Sequence, residues 1–280
     1  MITALDHFVL VCPDIDAGIA DYSKLLGLAP AWKARGEGVA TAVFSLGNTS
    51  VELMAPSGDS AVADKLREMT ADGPKLITLV YRSDDIEEDH HLSTRRGLAP
   101  SEISDGHSIH EATGGERRWR RYRIPDEKMA GTKSFILEPT SGDVEKAAHE
   151  AGCVTDLDHL VINTPNPERT VATYGARLGL HLALDRTAEQ WNTRFLFFRL
   201  GGLTLEIINR LDQSADVDGP DSIWGLTWAT DDLELAQKRL IAAGIEVREI
   251  RKGRKPGSRV FTVRNGTLNV PTLFIHHAKR

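Results

Sequence analysis

The chain opens with an apolar stretch, LDHFVLVCPDID (residues 5–16), in which β-branched and bulky apolar residues run into a Pro/Asp turn. That is the pattern of a strand ending at a helix N-cap. Ile15, Ile19, Tyr22, Leu25 and Leu26 then recur at helical spacing, and Gly27 follows where a helix C-cap belongs. Short apolar stretches, TAVFSLG and SVELMAP, come next between glycine and polar turns. The unit reads β-α-β-β-β.

An offset of 152 residues brings the unit back. Leu5, Asp6, His7, Val9, Pro13, Ala20, Tyr22, Leu26, Gly27 and Leu28 coincide with Leu157, Asp158, His159, Val161, Pro165, Ala172, Tyr174, Leu178, Gly179 and Leu180, ten identities in a gap-free window of 24. With a two-residue shift, FSLGNTSVEL (44–53) pairs with FRLGGLTLEI (198–207), which sets Glu52 against Glu206. A fainter copy lies inside each half. LITLVYRSDDIE (76–87) and IWGLTWATDDLE (223–234) share an apolar strand, an Asp-Asp turn and a helix-like continuation closed by Gly97 and Gly244. Self-similarity of this kind sets the fold before any single motif does. Four βαβββ modules result: two in an N-terminal domain over residues 1–142 and two in a C-terminal domain over 155–280, with 143–154 as the linker. In a chain of 280 residues each half is long enough for a core of its own.

Composition narrows the function classes. Apolar residues at 41% and charged residues at 26% suit a globular protein. A net charge of −6 gives no general attraction to nucleic acid or anionic membranes. No apolar run approaches the roughly 20 residues that span a bilayer. No basic segment precedes the first apolar run, and Asp6 interrupts it, so no signal peptide is expected and the expected compartment is the cytoplasm. Cys12 and Cys153 fit neither a disulfide framework nor a zinc spacing. The expected partner is a small-molecule substrate, with the chain a monomer or homodimer and neither nucleic acid nor a membrane involved.

LDHFVLVCPDIDAGIADYSKLLGL with SVEL, repeated as LDHLVINTPNPERTVATYGARLGL with LTLEI, resembles the vicinal oxygen chelate superfamily. That group includes glyoxalase I, extradiol dioxygenases, methylmalonyl-CoA epimerase, and the fosfomycin and bleomycin resistance proteins. The resemblance covers nearly the whole chain. It implies an α+β fold in which four βαβββ modules pair into two cup-shaped mixed sheets (glyoxalase-like). It also implies a divalent metal ion, Fe, Mn, Ni or Zn, held inside a cup by first-strand and last-strand residues of both modules.

In that pattern His7 and His159 fall at the first-strand ligand position, and Glu52 and Glu206 at the last-strand position. Strand alternation places His7 with Val9 and Val11, and Glu52 with Met54. A polar group on such an otherwise apolar face needs a partner. The second and fourth modules depart from the pattern, with Thr78 and Gly225 where another histidine or glutamine would stand. Glu138 in FILEP is their first last-strand candidate; His276 or His277 in TLFIHHAKR is the other. Two pairings stay open. If consecutive modules pair, His7, Glu52 and Glu138 share one cup, and His159 and Glu206 meet His276 or His277 in the other. If outer and inner modules pair, His7, Glu52 and His276 form a two-histidine, one-carboxylate set suited to iron(II), and His159, Glu206 and Glu138 the second set. The competing reading is a metal-free relic in which each histidine bonds its neighbouring glutamate.

GERRWRRYRIP (115–125) gathers five arginines around Trp119 and Tyr122. As a strand it sets Trp119, Arg121 and Arg123 on one face and Arg118, Arg120 and Tyr122 on the other. The first face suits a substrate clamp for a carboxylate or phosphate; charge protecting a sheet edge is the alternative. In the second half, Trp224 and Trp228 flank Gly225 and are candidates for lining a pocket enlarged by that glycine.

The expected function is a divalent-metal-dependent enzyme acting on a small, oxygen-rich, anionic organic substrate, by lyase or isomerase chemistry through a stabilised enolate. Glu52 and Glu138 are the expected catalytic carboxylates. The alternatives are a metal-free protein that sequesters an aromatic compound, and a ring-cleaving dioxygenase.

Overall fold

The computed structural model describes residues 1–146, 150–212 and 216–278. In the first module β1 (Ile2–Val11) leads into helix α1 (Ile15–Leu26), then β2 (Trp32–Gly36), β3 (Val39–Ser45) and β4 (Ser50–Pro56). Helix α2 (Ala61–Met69) connects to the second: β5 (Lys75–Ser83), α3 (Ile86–Arg95), β6 (Ser104–Ile109), β7 (Glu116–Ile124) and β8 (Lys133–Ser141). The third holds β9 (Val154–Asn163), α4 (Pro167–Thr170, continuing as a π-helical turn over Val171–Arg177), β10 (His181–Ala188), β11 (Thr193–Leu200) and β12 (Leu203–Arg210). The fourth holds β13 (Ser222–Thr230), α5 (Leu233–Ala242), β14 (Arg251–Lys252), β15 (Ser258–Val263) and β16 (Thr272–His277).

The turn chemistry does what the sequence implies. Asp14, Asp85, Asn166 and Asp232 each accept a hydrogen bond at a helix N-terminus, from the backbone N–H of Ala17, Glu88, Arg169 and Leu235. Gly27 adopts the left-handed conformation (φ 74°) that closes α1.

Sheet order settles the pairing of modules. One sheet runs β2-β3-β4-β1-β5-β8-β7-β6 and the other β10-β11-β12-β9-β13-β16-β15-β14. Consecutive modules therefore pair, each sheet's two first strands meeting antiparallel at its centre. The outer-inner arrangement, and with it the His7–Glu52–His276 set, is not formed.

The first sheet curls until its two edges meet. Trp32 of β2 donates from Nε1 to Ser108 Oγ of β6 at 2.9 Å, Glu111 N–H reaches Lys33 O at 2.8 Å, and Lys33 and Arg35 both pair with Glu111. The sheet is nearly a barrel. In the second sheet, Arg254 beside β14 reaches across to the Trp191 ring at 4.4 Å.

Helices cover the convex faces, and the two convex faces share one core. Leu5, Phe8 and Leu10 of β1 belong to the same continuous apolar cluster as Leu157, Leu160 and Ile162 of β9. Phe8 lies 6.1 Å from Trp228, ring centre to ring centre, and Tyr174 OH meets Thr132 Oγ1 at 3.3 Å. Asn48 completes the junction by imitating a strand: its side chain accepts from Leu157 N–H at 3.0 Å and donates to Leu157 O at 2.8 Å. The halves expected to hold separate cores are fused through a common one.

Candidate functional site

Each cup is organised by a β-bulge at the start of its central strand. Against β5, β1 steps from the pair Leu5–Tyr81 directly to His7–Val80. Leu5 and Phe8 are therefore both core residues although three positions apart, and the two side chains between them bond to each other. β9 repeats the step between Leu157 and His159. A bulge re-aims side chains in this way, here presenting an aspartate beside each histidine.

In the N-terminal cup His7 lies between two carboxylates, Nδ1 at 2.8 Å from Asp6 Oδ1 and Nε2 at 3.2 Å from Glu52 Oε2. Burial alone would lower the His7 pKa; the bonds to Asp6 and Glu52 outweigh it and raise it to about 9. Burial would likewise raise Glu52, yet His7, followed by Arg117 and Arg121, holds it below its ordinary value. Asp6 is lowered, His7 again prevailing over burial, and Arg82 approaches it at 3.4 Å. His7 is an imidazolium with both N–H groups engaged.

The C-terminal cup repeats the dyad. His159 Nδ1 is 2.7 Å from Asp158 Oδ1, and Nε2 is 3.2 Å from Glu206 Oε2. Its difference lies in the support: His277 Nε2 meets Asp158 Oδ2 at 2.6 Å. Burial would raise Asp158, but its bonds with His159 and His277 bring it down to about 2.

Three placements correct the sequence-based assignments. Val9 pairs with Glu52 in register, and the matching pair in the second module is Val80–Phe135; likewise Val161–Glu206 corresponds to Thr227–Leu273. Phe135 and Leu273 thus occupy the last-strand ligand positions. Glu138 has the strand parity of the core residue Ile136, so it lies on the helix-covered face, 4.0 Å from Arg120, which pairs with Glu87 of α3. His276 faces the same way in its sheet, with Nδ1 3.1 Å from Thr230 O; His277 is the residue that enters the cup. Trp228 is fully buried against Phe8 in the shared core and lines no pocket.

Trp224 does line a cavity, about 550 Å³ in volume, with Asn163, Thr164, Ile208, Asn209 and Arg210. Ile208 and Asn163 pair two positions along from Glu206 and Val161, so the cavity lies at the end of these strands, roughly 7 Å along the sheet from the dyad. Phe197 and Phe195 sit opposite Glu206 and Ile208 in register and stack on each other at 6.1 Å. They give this cup an aromatic wall.

The arginine strand divides as its alternation implies. Arg117, Trp119, Arg121 and Arg123 share the parity that faces the N-terminal cup, while Tyr122 joins the core. Arg123 is tied to Asp126 at 2.9 Å. Arg117, not singled out in the sequence, also lies close enough to act on both Glu52 and Asp6, lowering each. Its signal was the same parity that marked Arg121. The roles of Asp6 and Asp158 were also missed, although both belong to the repeated LDH motif.

A metal ion would meet different conditions in the two cups. A 3.2 Å gap between imidazole and carboxylate donors is close to the roughly 3 Å separating neighbouring ligands at about 2.1 Å from one ion. Asp158 on the far nitrogen of His159 is the carboxylate–histidine arrangement that orients a metal-binding imidazole. The C-terminal pair fits as a two-donor set. The N-terminal pair has the same spacing and the same backing by Asp6, but Arg117 and Arg121 stand close to Glu52 and oppose a further cation there. Among the described residues no three His, Cys, Asp or Glu side chains are placed to share an ion, so neither cup has the three-donor set expected from the sequence.

Residues 5–155 match the family described as Glyoxalase-like domain, and residues 158–262 match the Glyoxalase/Bleomycin resistance protein/Dioxygenase superfamily. Among solved structures, a triple mutant of 4-hydroxymandelate synthase from Streptomyces coelicolor aligns with 14% identity and a TM-score of 0.68, covering 100% of this chain and 95% of that one. The Mn(II)-bound glyoxalase from Novosphingobium aromaticivorans aligns with 16% identity and a TM-score of 0.67, covering 99% and 83%. At such identities the likeness is one of fold. No curated relative matches the chain by sequence.

Proposed function

The chain belongs to the vicinal oxygen chelate superfamily, a group of metal-dependent enzymes among others, and from that premise we propose that its C-terminal cup is the working site. The observation that carries this reading is the His159–Glu206 pair, backed by Asp158 and His277, with the 550 Å³ cavity at the end of the same two strands. His159 and Glu206 would hold a divalent ion. Such an ion supplies Lewis-acid polarisation of a substrate oxygen. The chain's own residues do the rest. Asp158 fixes the tautomer of His159 so that Nε2 faces the cup. Phe195 and Phe197 pack a flat apolar part of the substrate and keep water off it, while Asn163 and Arg210 meet its polar and anionic groups. Glu206, whose Oε2 lies 3.2 Å from His159 Nε2, is the carboxylate placed to take a proton from a substrate carbon.

This chemistry is a lyase or isomerase proton transfer. Ring cleavage with iron(II) calls for two histidines and a carboxylate around one ion. Here Gly225 stands at the second first-strand position and His277 is engaged with Asp158. A second reading, a metal-free protein that sequesters an aromatic compound, draws on the two-donor count and on the Phe195–Phe197 wall.

Metal analysis after incubation with manganese, iron(II), nickel or zinc separates the two. Protein without a histidine tag is expected to retain close to one ion per chain in the wild type and in His7→Ala, and to lose it in His159→Ala. A wild type that takes up no metal overturns the enzyme reading in favour of sequestration.

A further inference from the structure

The N-terminal cup gathers three arginines. Arg82, Arg117 and Arg121 face it beside Asp6 and Glu52, with Asp143 also close to Arg117. Arg82 is spent on Asp6, and His7 on both carboxylates. The guanidinium groups of Arg117 and Arg121 enter no hydrogen bond or ion pair among the described residues. They rest on aromatic rings instead: Arg117 at 5.3 Å from the Trp32 ring centre and 5.9 Å from that of Trp119, Arg121 at 5.4 Å from that of Phe135.

A guanidinium stacked on a ring keeps its N–H fork in its own plane, turned away from the ring and free for a two-pronged acceptor. The pose of Trp119 is fixed by the chain. Its indole lies on Gly106, where a Cβ would stand 2.4 Å from Nε1, so only glycine admits it. Trp32 is fixed as well, by its hydrogen bond to Ser108 across the sheet closure. Arg117 and Arg121 thus present two uncommitted guanidinium groups on one face of β7, with Trp119 between them and Trp32 alongside, a set of donors and flat surfaces suited to a planar oxyanion.

We propose that the N-terminal cup is a second, metal-free binding site that takes the carboxylate of a flat aromatic acid, with Arg117 and Arg121 as its anchors and Trp32 and Trp119 as its walls. It stands apart from the metal reading of the other cup. Arg117 and Arg121 supply the positive charge that a metal would otherwise provide, and the oxyanion completes their hydrogen bonds.

Isothermal titration of the full chain with benzoate, and separately with inorganic phosphate, tests this after metal has been removed with a chelator. Benzoate is expected to bind once per chain. Its affinity should fall by about tenfold or more in Arg117→Met and in Arg121→Met, and hold in His159→Ala and Arg120→Ala. Because Arg121 is exposed, its variant keeps the test meaningful if Arg117→Met misfolds. No saturable benzoate binding, or binding that survives both arginine substitutions, overturns the proposal. Phosphate binding as tightly as benzoate overturns the part assigned to the indole walls.

Discussion

The two cups share topology, bulge and dyad, yet their walls are opposite in kind. In the N-terminal cup the strand two places from the centre turns Arg117, Trp119, Arg121 and Arg123 inward. Its counterpart in the C-terminal cup offers Ser258, Val260 and Thr262, while Phe195 and Phe197 line the other side. On the helix-covered face the same strands stay alike: Arg120 pairs with Glu87 and Arg259 with Glu234, at matching positions. Duplication preserved what holds helix to sheet and let the concave face diverge. A histidine–glutamate pair of one geometry stands among arginines in one cup and among aromatic rings in the other.

That contrast can be broken in several ways. The largest effect expected is on metal content, where Glu206→Ala should abolish retention as His159→Ala does, and Glu52→Ala should leave it intact. Equal losses in Glu206→Ala and Glu52→Ala, read by elemental analysis, would erase the distinction between the cups. Next comes the core they share. Phe8→Ala removes a fully buried ring at the junction and should cost about 3–5 kcal/mol, with calorimetry still showing one transition. Two separate transitions would mean that the halves unfold alone.

The third test uses pH. The His7 pKa in the folded chain, about 9, lies above the ordinary 6.5. Its contribution is therefore complete below about pH 6.5 and disappears as pH rises through about 9, an effect on the order of 3 kcal/mol. Urea unfolding at the two ends of that window should show the loss in the wild type and little of it in His7→Gln. The smallest effect belongs to the clasp between halves. Asn48→Ala forfeits both bonds to Leu157 and should destabilise by about 1–2 kcal/mol in the same assay.

Most of the architecture was legible because a repeat carries its own alignment. The ten identities set both histidines on equivalent central strands, the shifted match of residues 44–53 with 198–207 set a glutamate beside each, and the strand alternation of residues 115–125 placed Trp119, Arg121 and Arg123. What stayed hidden was register. Glu138 resembles the last-strand glutamate in local sequence but falls three residues past the ligand position at Phe135, and an odd offset sends a strand residue to the opposite face. His276 failed by the same parity. Trp228 illustrates a different limit: its burial depends on Phe8, which lies 220 residues earlier in the chain and in the other sheet. The bulge that turns Asp6 and Asp158 toward their histidines leaves no compositional mark.

The common core also governs how the chain must be made. Once the first sheet has left the ribosome, the apolar convex face that Phe8 shares with Trp228 is incomplete until the second sheet follows. At ordinary synthesis rates the intervening residues take roughly ten seconds to appear. During that interval the nascent half is an aggregation hazard and a natural client for a chaperone.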